Sequence, residues 1–80
     1  HPKSVLGSNI RIHQNVTIGG RKGGKLPIIG DNVMLGAGCV IIGDVRIDNN
    51  VKIGANAVVI TDLPDNSIAV GIPAKIVNKV

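Results

Sequence analysis

The sequence holds two imidazoles, His1 and His13, and one thiol, Cys39. Imidazole can take a proton from a hydroxyl at physiological pH, so a histidine is the natural candidate for a general base. His13 stands in Ile12-His13-Gln14-Asn15, directly after an aliphatic residue of a regular pattern. That position puts it at an exposed corner and makes it the first candidate; His1 is the weaker one. A surface corner histidine without chemistry is the plainer reading of His13. A three-histidine metal site needs more ligands than His1 and His13 supply, so no metal is expected. One cysteine forms no internal disulfide, fits a reducing compartment such as the cytoplasm, and reads most simply as a small core residue.

Charge and composition narrow the partners. Nine Lys and Arg against five Asp and Glu leave a formal charge of +4, which suits an anionic partner such as a phosphate. With no Phe, Tyr or Trp there is no stacking platform for single-stranded nucleic acid, and the basic residues follow no one face, so nucleic acid is not an expected partner. No charged start leads into a long apolar run, so neither secretion nor a membrane span is expected. Eighty residues make a marginal core, so help from partner chains is expected.

The elements that must position these residues are set by a period of six. Ile29, Leu35, Ile41, Ile47, Ile53 and Val59 recur every sixth residue, and Leu6, Ile12 and Ile18 keep the same spacing earlier. Four places after these come Ile10, Val16, Val33, Cys39, Val45, Val51, Ala57 and Leu63, of the same parity, so both sets point inward. Gly7, Gly30, Gly36, Asp48 and Gly54 follow lead aliphatics, and Asn9, Asn15, Asn32, Asn49, Asn50 and Asn56 crowd the same places. Glycine and asparagine tolerate the φ values of tight corners, so each unit predicts a short strand plus a turn, too brief for a helix. Three units close a triangular coil, and stacked coils pair like strands at roughly 4.8 Å per rung. The expectation is an all-β parallel β-helix of about four coils, stabilised coil upon coil.

The eleven residues from Ile18 to Ile29 interrupt the period, so residues 19–28, glycine-rich and basic, are expected to leave the stack as one loop. The expected partition is one domain over residues 1–80: a first coil at 1–18, the loop at 19–28, regular coils at 29–64 and a closing segment at 65–80. Pro64 and Pro73 suit an edge or cap. The absence of a starting methionine suggests a piece of a longer chain.

The motifs Asn15-Val16-Thr17-Ile18-Gly19-Gly20, Ile29-Gly30-Asp31-Asn32-Val33-Met34-Leu35-Gly36-Ala37-Gly38, Ile53-Gly54-Ala55-Asn56-Ala57-Val58-Val59 and Gly71-Ile72-Pro73-Ala74-Lys75-Ile76-Val77 resemble, in this order, the serine acetyltransferases and related sugar acetyltransferases of the hexapeptide-repeat class. The resemblance covers nearly the whole chain and implies a left-handed coil. It further implies a trimer with acetyl-CoA in the grooves between subunits, and transfer of acetyl to a hydroxyl of a small acceptor. In relatives a histidine is the base; His1-Pro2-Lys3-Ser4-Val5-Leu6-Gly7 looks like their opening coil and brings His13 close to that base. A second alignment, anchored on Val16-Thr17-Ile18-Gly19-Gly20, puts the base upstream. The resemblance assigns Gly36, Ala37, Gly54 and Ala55 to the pantetheine chain and Thr61 and Lys75 to the nucleotide end of CoA. Corner glycine in a repeat is the plainer account of the glycines.

Leu26-Pro27 stands where serine acetyltransferases carry a second histidine before the proline, so a sugar hydroxyl is as good an acceptor as serine. The rival reading is a trimerising β-helix scaffold without chemistry. The metal-dependent hydratases of the same fold, γ-type carbonic anhydrases among them, are disfavoured by the histidine count.

Overall fold

The computed structural model describes residues 5–20 and 24–79. Its elements are β1 (Val5–Leu6), β2 (Arg11–Ile12), β3 (Thr17–Gly19), β4 (Ile28–Ile29), β5 (Met34–Leu35), β6 (Val40–Ile42), β7 (Arg46–Ile47), β8 (Lys52–Ile53), β9 (Val58–Val59), β10 (Ser67–Val70) and β11 (Lys75–Lys79), with no helix among the described residues. Every lead aliphatic from Leu6 to Val59 lies in a strand. Alternation within so short a strand turns one residue inward and its predecessor outward.

Three sheets form the sides of a triangular column: β1-β4-β7, β2-β5-β8-β10-β11 and β3-β6-β9. The column pairs are parallel, with Leu6, Ile29 and Ile47 aligned on the first side, Ile12, Leu35 and Ile53 on the second, and Ile18, Ile41 and Val59 on the third. Three turns are complete. A fourth is begun where Leu63 bridges to Ile47 and β10 pairs with β8. Successive turns are offset by 23, 18 and 16 residues, the separations of Ser8 from Asp31, Asp31 from Asn49 and Asn49 from Asp65. The first exceeds the regular turn by the extra residues that follow Ile18. Gly19 belongs to β3 and Ile28 to β4, so both ends of the expected loop at 19–28 are strand residues; residues 21–23 lie outside the described chain.

The core is a column of aliphatics. Ile29, Leu35, Ile41, Ile47, Ile53 and Val59 are at most 1% exposed, with Val33, Cys39, Val45, Val51, Ala57 and Leu63 buried between them. Each such Ile or Leu contributes about 1.5–3 kcal/mol by burial. In the first turn Leu6 and Ile12 remain 44% and 50% exposed, because their inward faces have a turn stacked on one side only among the described residues. At the other end β11 folds back antiparallel on β10.

The corners correct one expectation. The left-handed residues are Asn9, Asn15, Asn32, Asn50, Asn56 and Asn66, joined by Gly38, Gly43 and Gly71. Gly7, Gly30, Gly36 and Gly54 have no such φ. They are small because the next turn lies against them: a Cβ on Gly36 would come within 2.7 Å of Ala55 N, Gly54 C and Ile53 O. One corner also carries a side-chain ladder. Asp31 Oδ1 accepts from Ser8 N at 2.9 Å, Asn49 Oδ1 from Asp31 N at 2.8 Å, and Asp65 Oδ1 from Asn49 N at 2.7 Å.

Candidate functional site

Backbone pairing brings most of the candidate residues to one corner, between the side built on β2-β5-β8 and the side built on β3-β6-β9. His13 N donates to Leu35 O at 3.1 Å, Gly36 N to Ile53 O at 2.8 Å, and Gly54 N to Ala69 O at 2.9 Å. His13, Gly36 and Gly54 therefore open the same corner in successive turns, His13 and Gly54 about 10 Å apart along the axis at two rungs. One residue on, Gly38 N donates to Gln14 O and Asn56 N to Ala37 O, both at 2.9 Å, which aligns Gln14, Ala37 and Ala55.

Within this column the roles divide. Gly36 is buried and Gly54 half-buried, and a Cβ on Gly54 would meet Val70 Cγ1 at 2.8 Å. Their smallness is spent on turn-to-turn stacking. Ala37, half-buried, and Ala55, exposed, form the outward surface with their methyl groups. A long thin ligand laid along the corner would meet those methyls and the backbone, with the exposed His13 at one end.

Lys75 is exposed at the other end: it is in register with Val70, while Ala74 N donates to Val58 O at 2.7 Å and Val58 N to Gly71 O at 3.0 Å. These bonds fold residues 71–74 back over the end of β9. Thr61 is not brought to this corner. It lies beyond β9, exposed, at the next corner before Leu63, so a ligand touching both Ala55 and Thr61 must cross the outer face of β3-β6-β9. His1 lies outside the described residues.

Leu26 is half-buried and Pro27 buried, so the position where a second histidine was sought is apolar packing against the stack. Cys39 is buried in the core, and desolvation pushes its thiol above the ordinary value, a backbone hydrogen bond opposing the rise. Among the described residues no group of three or more His, Cys, Asp and Glu is arranged to hold a metal, and no helix is long and apolar enough to cross a membrane. Sequence reasoning missed a concavity on the outer face of β2-β5-β8, with Arg11 and Lys52 in its lining. Its signal was the residue just before each lead aliphatic, which points outward.

A three-sided column of six-residue strand-and-corner units, with small residues along one edge, defines the hexapeptide-repeat β-helix. The bacterial transferase hexapeptide model (six repeats) matches residues 27–61. Over those residues the chain carries hexapeptide repeats of that kind. It is 47% identical over 78 residues, 94% of its length, to a serine acetyltransferase of Staphylococcus epidermidis. Among solved structures it superposes on serine acetyltransferase of Neisseria gonorrhoeae with a TM-score of 0.92 at 46% identity, covering 99% of this chain and 32% of that one. A serine acetyltransferase in complex with CoA aligns with a TM-score of 0.87 at 42% identity over 92% of this chain and 31% of that one. With this repeat and these neighbours the coil is a left-handed parallel β-helix, as the resemblance implied. The chain spans 37% of the length of the Staphylococcus epidermidis relative.

Proposed function

We propose that this chain is the acetyl-CoA-binding β-helix of an O-acetyltransferase that acts in the cytoplasm, as a homotrimer, on a hydroxyl of a small acceptor. The observation that carries the reading is the corner column. His13-Gln14, Gly36-Ala37 and Gly54-Ala55 follow one another along one corner, in a chain similar over nearly its whole length to a protein solved with CoA bound. The pantetheine chain runs along the Gly36-Ala37 and Gly54-Ala55 corners, meeting the methyl groups of Ala37 and Ala55, while the glycines let the turns beneath it stack. Lys75, at the far end, meets phosphate as a point charge, and Thr61 takes the nucleotide end across the neighbouring face.

His13 accepts the proton of the acceptor hydroxyl as its oxygen attacks the thioester carbonyl. The tetrahedral intermediate collapses to the acetyl ester, and the departing CoA thiolate takes the proton from the imidazolium. The acceptor is serine or a sugar; no metal enters the scheme.

Calorimetric titration with CoA tests the reading on the full chain and on Ala37→Trp. Saturable binding that is lost in Ala37→Trp, with His13→Gln keeping CoA affinity while lowering kcat about 100-fold or more, is the expected result. A folded chain that binds no CoA is a scaffold. The apolar Leu26-Pro27 packing, in the slot where relatives carry a histidine, is the feature that favours that second reading.

A further inference from the structure

On the outer face of β2-β5-β8 lies a cleft of about 620 Å³. Arg11, Met34 and Lys52 are consecutive rungs of its floor, in direct register across the three strands. They face outward because Ile12, Leu35 and Ile53, the next residue in each strand, turn inward, Leu35 and Ile53 into the buried core. Arg11 and Lys52 stand about 10 Å apart at the α-carbons, two rungs, with Met34 between them, and side chains of that length can converge over it.

The chemistry of the lining is one-signed. Two cations are present and no carboxylate, with Asn9 and Asn32 at one rim. A guanidinium offers a planar fork that matches a carboxylate or phosphate bidentately, and an ammonium adds a compact charge. The carboxamides supply neutral donors, and half-buried Met34 supplies an adaptable apolar floor. The next outward position after Arg11 is His13, about 7 Å away between α-carbons at the strand rise of 3.3–3.4 Å per residue.

We propose that this cleft binds the anionic group, a carboxylate or a phosphate monoester, of the acceptor whose hydroxyl is presented to His13. The link to His13 rests on the function proposed above; the anion site does not. Acceptors are thereby acidic small molecules, held by Arg11 and Lys52 on one side of the corner while the thioester lies along the other.

The test titrates the full chain with inorganic phosphate, acetate and CoA in turn, following backbone amide shifts by NMR, and repeats each with Arg11→Gln/Lys52→Gln. Both positions are exposed, so the variant keeps the fold. Saturable shifts at Asn9, Asn32 and Met34 are expected, with affinity at least about tenfold weaker in the variant and CoA binding unchanged. The tighter of phosphate and acetate identifies the anion. Shifts that never saturate, or that survive the double substitution, overturn the site. Saturable anion binding by a chain that binds no CoA supports the cleft and refutes the transferase reading. In acetyl-transfer assays the double variant should raise KM for glucose 1-phosphate or L-serine about tenfold or more and leave that of glucose unchanged; an equal rise for all of them overturns the assignment of the cleft to the acceptor.

Discussion

Gly36→Ala and Gly19→Ala should move stability in opposite directions, although each adds one methyl group at a strand end or corner of the same β-helix. At Gly36 the new Cβ would stand 2.7 Å from Ala55 N, Gly54 C and Ile53 O, against 3.4 Å for ordinary contact, and all three are backbone atoms. Relief requires the turns to part, which lengthens the 2.8 Å bond from Gly36 N to Ile53 O. Overpacking of this kind costs about 1–3 kcal/mol and the weakened bond about 1 more, so a loss near 3 kcal/mol is expected. At Gly19 no atom of the described residues lies within 4 Å of the added Cβ and φ is unremarkable, so alanine should stabilise by about 0.4–1 kcal/mol through the unfolded chain. Urea denaturation of the full chain, with the same m-value for all variants, reads the difference directly. In a thermal melt Gly36→Ala should fall by roughly 12–24 °C, at 4–8 °C per kcal/mol. If the two variants unfold within about 0.5 kcal/mol of each other, the turns are not held as tightly as described.

Asn49→Ala removes the acceptor for Asp31 N and should cost about 1 kcal/mol in chemical denaturation, whereas Asn49→Asp, which restores an acceptor like those of Asp31 and Asp65 in adjacent turns, should recover most of it. Burial pushes the Cys39 thiol up, so the folded chain holds that proton to higher pH than the unfolded chain. The stability this contributes is whole below the unfolded thiol's value of about 8.5 and falls as pH rises through the folded value. Denaturation midpoints should therefore decline above about pH 8.5 in wild type and decline less in Cys39→Ala, and a thiol reagent should modify Cys39 only as the chain unfolds.

The column was legible because burial enforces period: each lead aliphatic from Ile29 to Val59 has no other place to go. The corners were legible in position but not in cause. A glycine required by φ and one required by the backbone of the next turn look alike in sequence, and only the stacking of Gly36 on Ala55 separates them. Asn49 was counted with the corner asparagines, although its carboxamide, not its φ, is what the fold uses. The first turn's exposed Leu6 and Ile12 could not be told from buried leads, since the pattern is the same wherever it sits in the stack. Arg11 and Lys52 escaped notice because outward positions carry no period, and their alignment on either side of Met34 depends on offsets of 23 and 18 residues that differ from one turn to the next.

The ladder from Ser8 through Asp31 and Asn49 to Asp65 makes this fold a counter. An insertion of 18 residues between β4 and β9 adds a storey and leaves every floor in step; an insertion of one residue turns core side chains out to water and slips each acceptor off its amide. Change of length in that region is therefore quantised. The first offset, 23 residues against 18, shows that extra length between Ile18 and Ile29 leaves the register of the described turns intact. Added length is therefore tolerated where the register does not count it, and a graft of new sequence has its natural port of entry between Ile18 and Ile29.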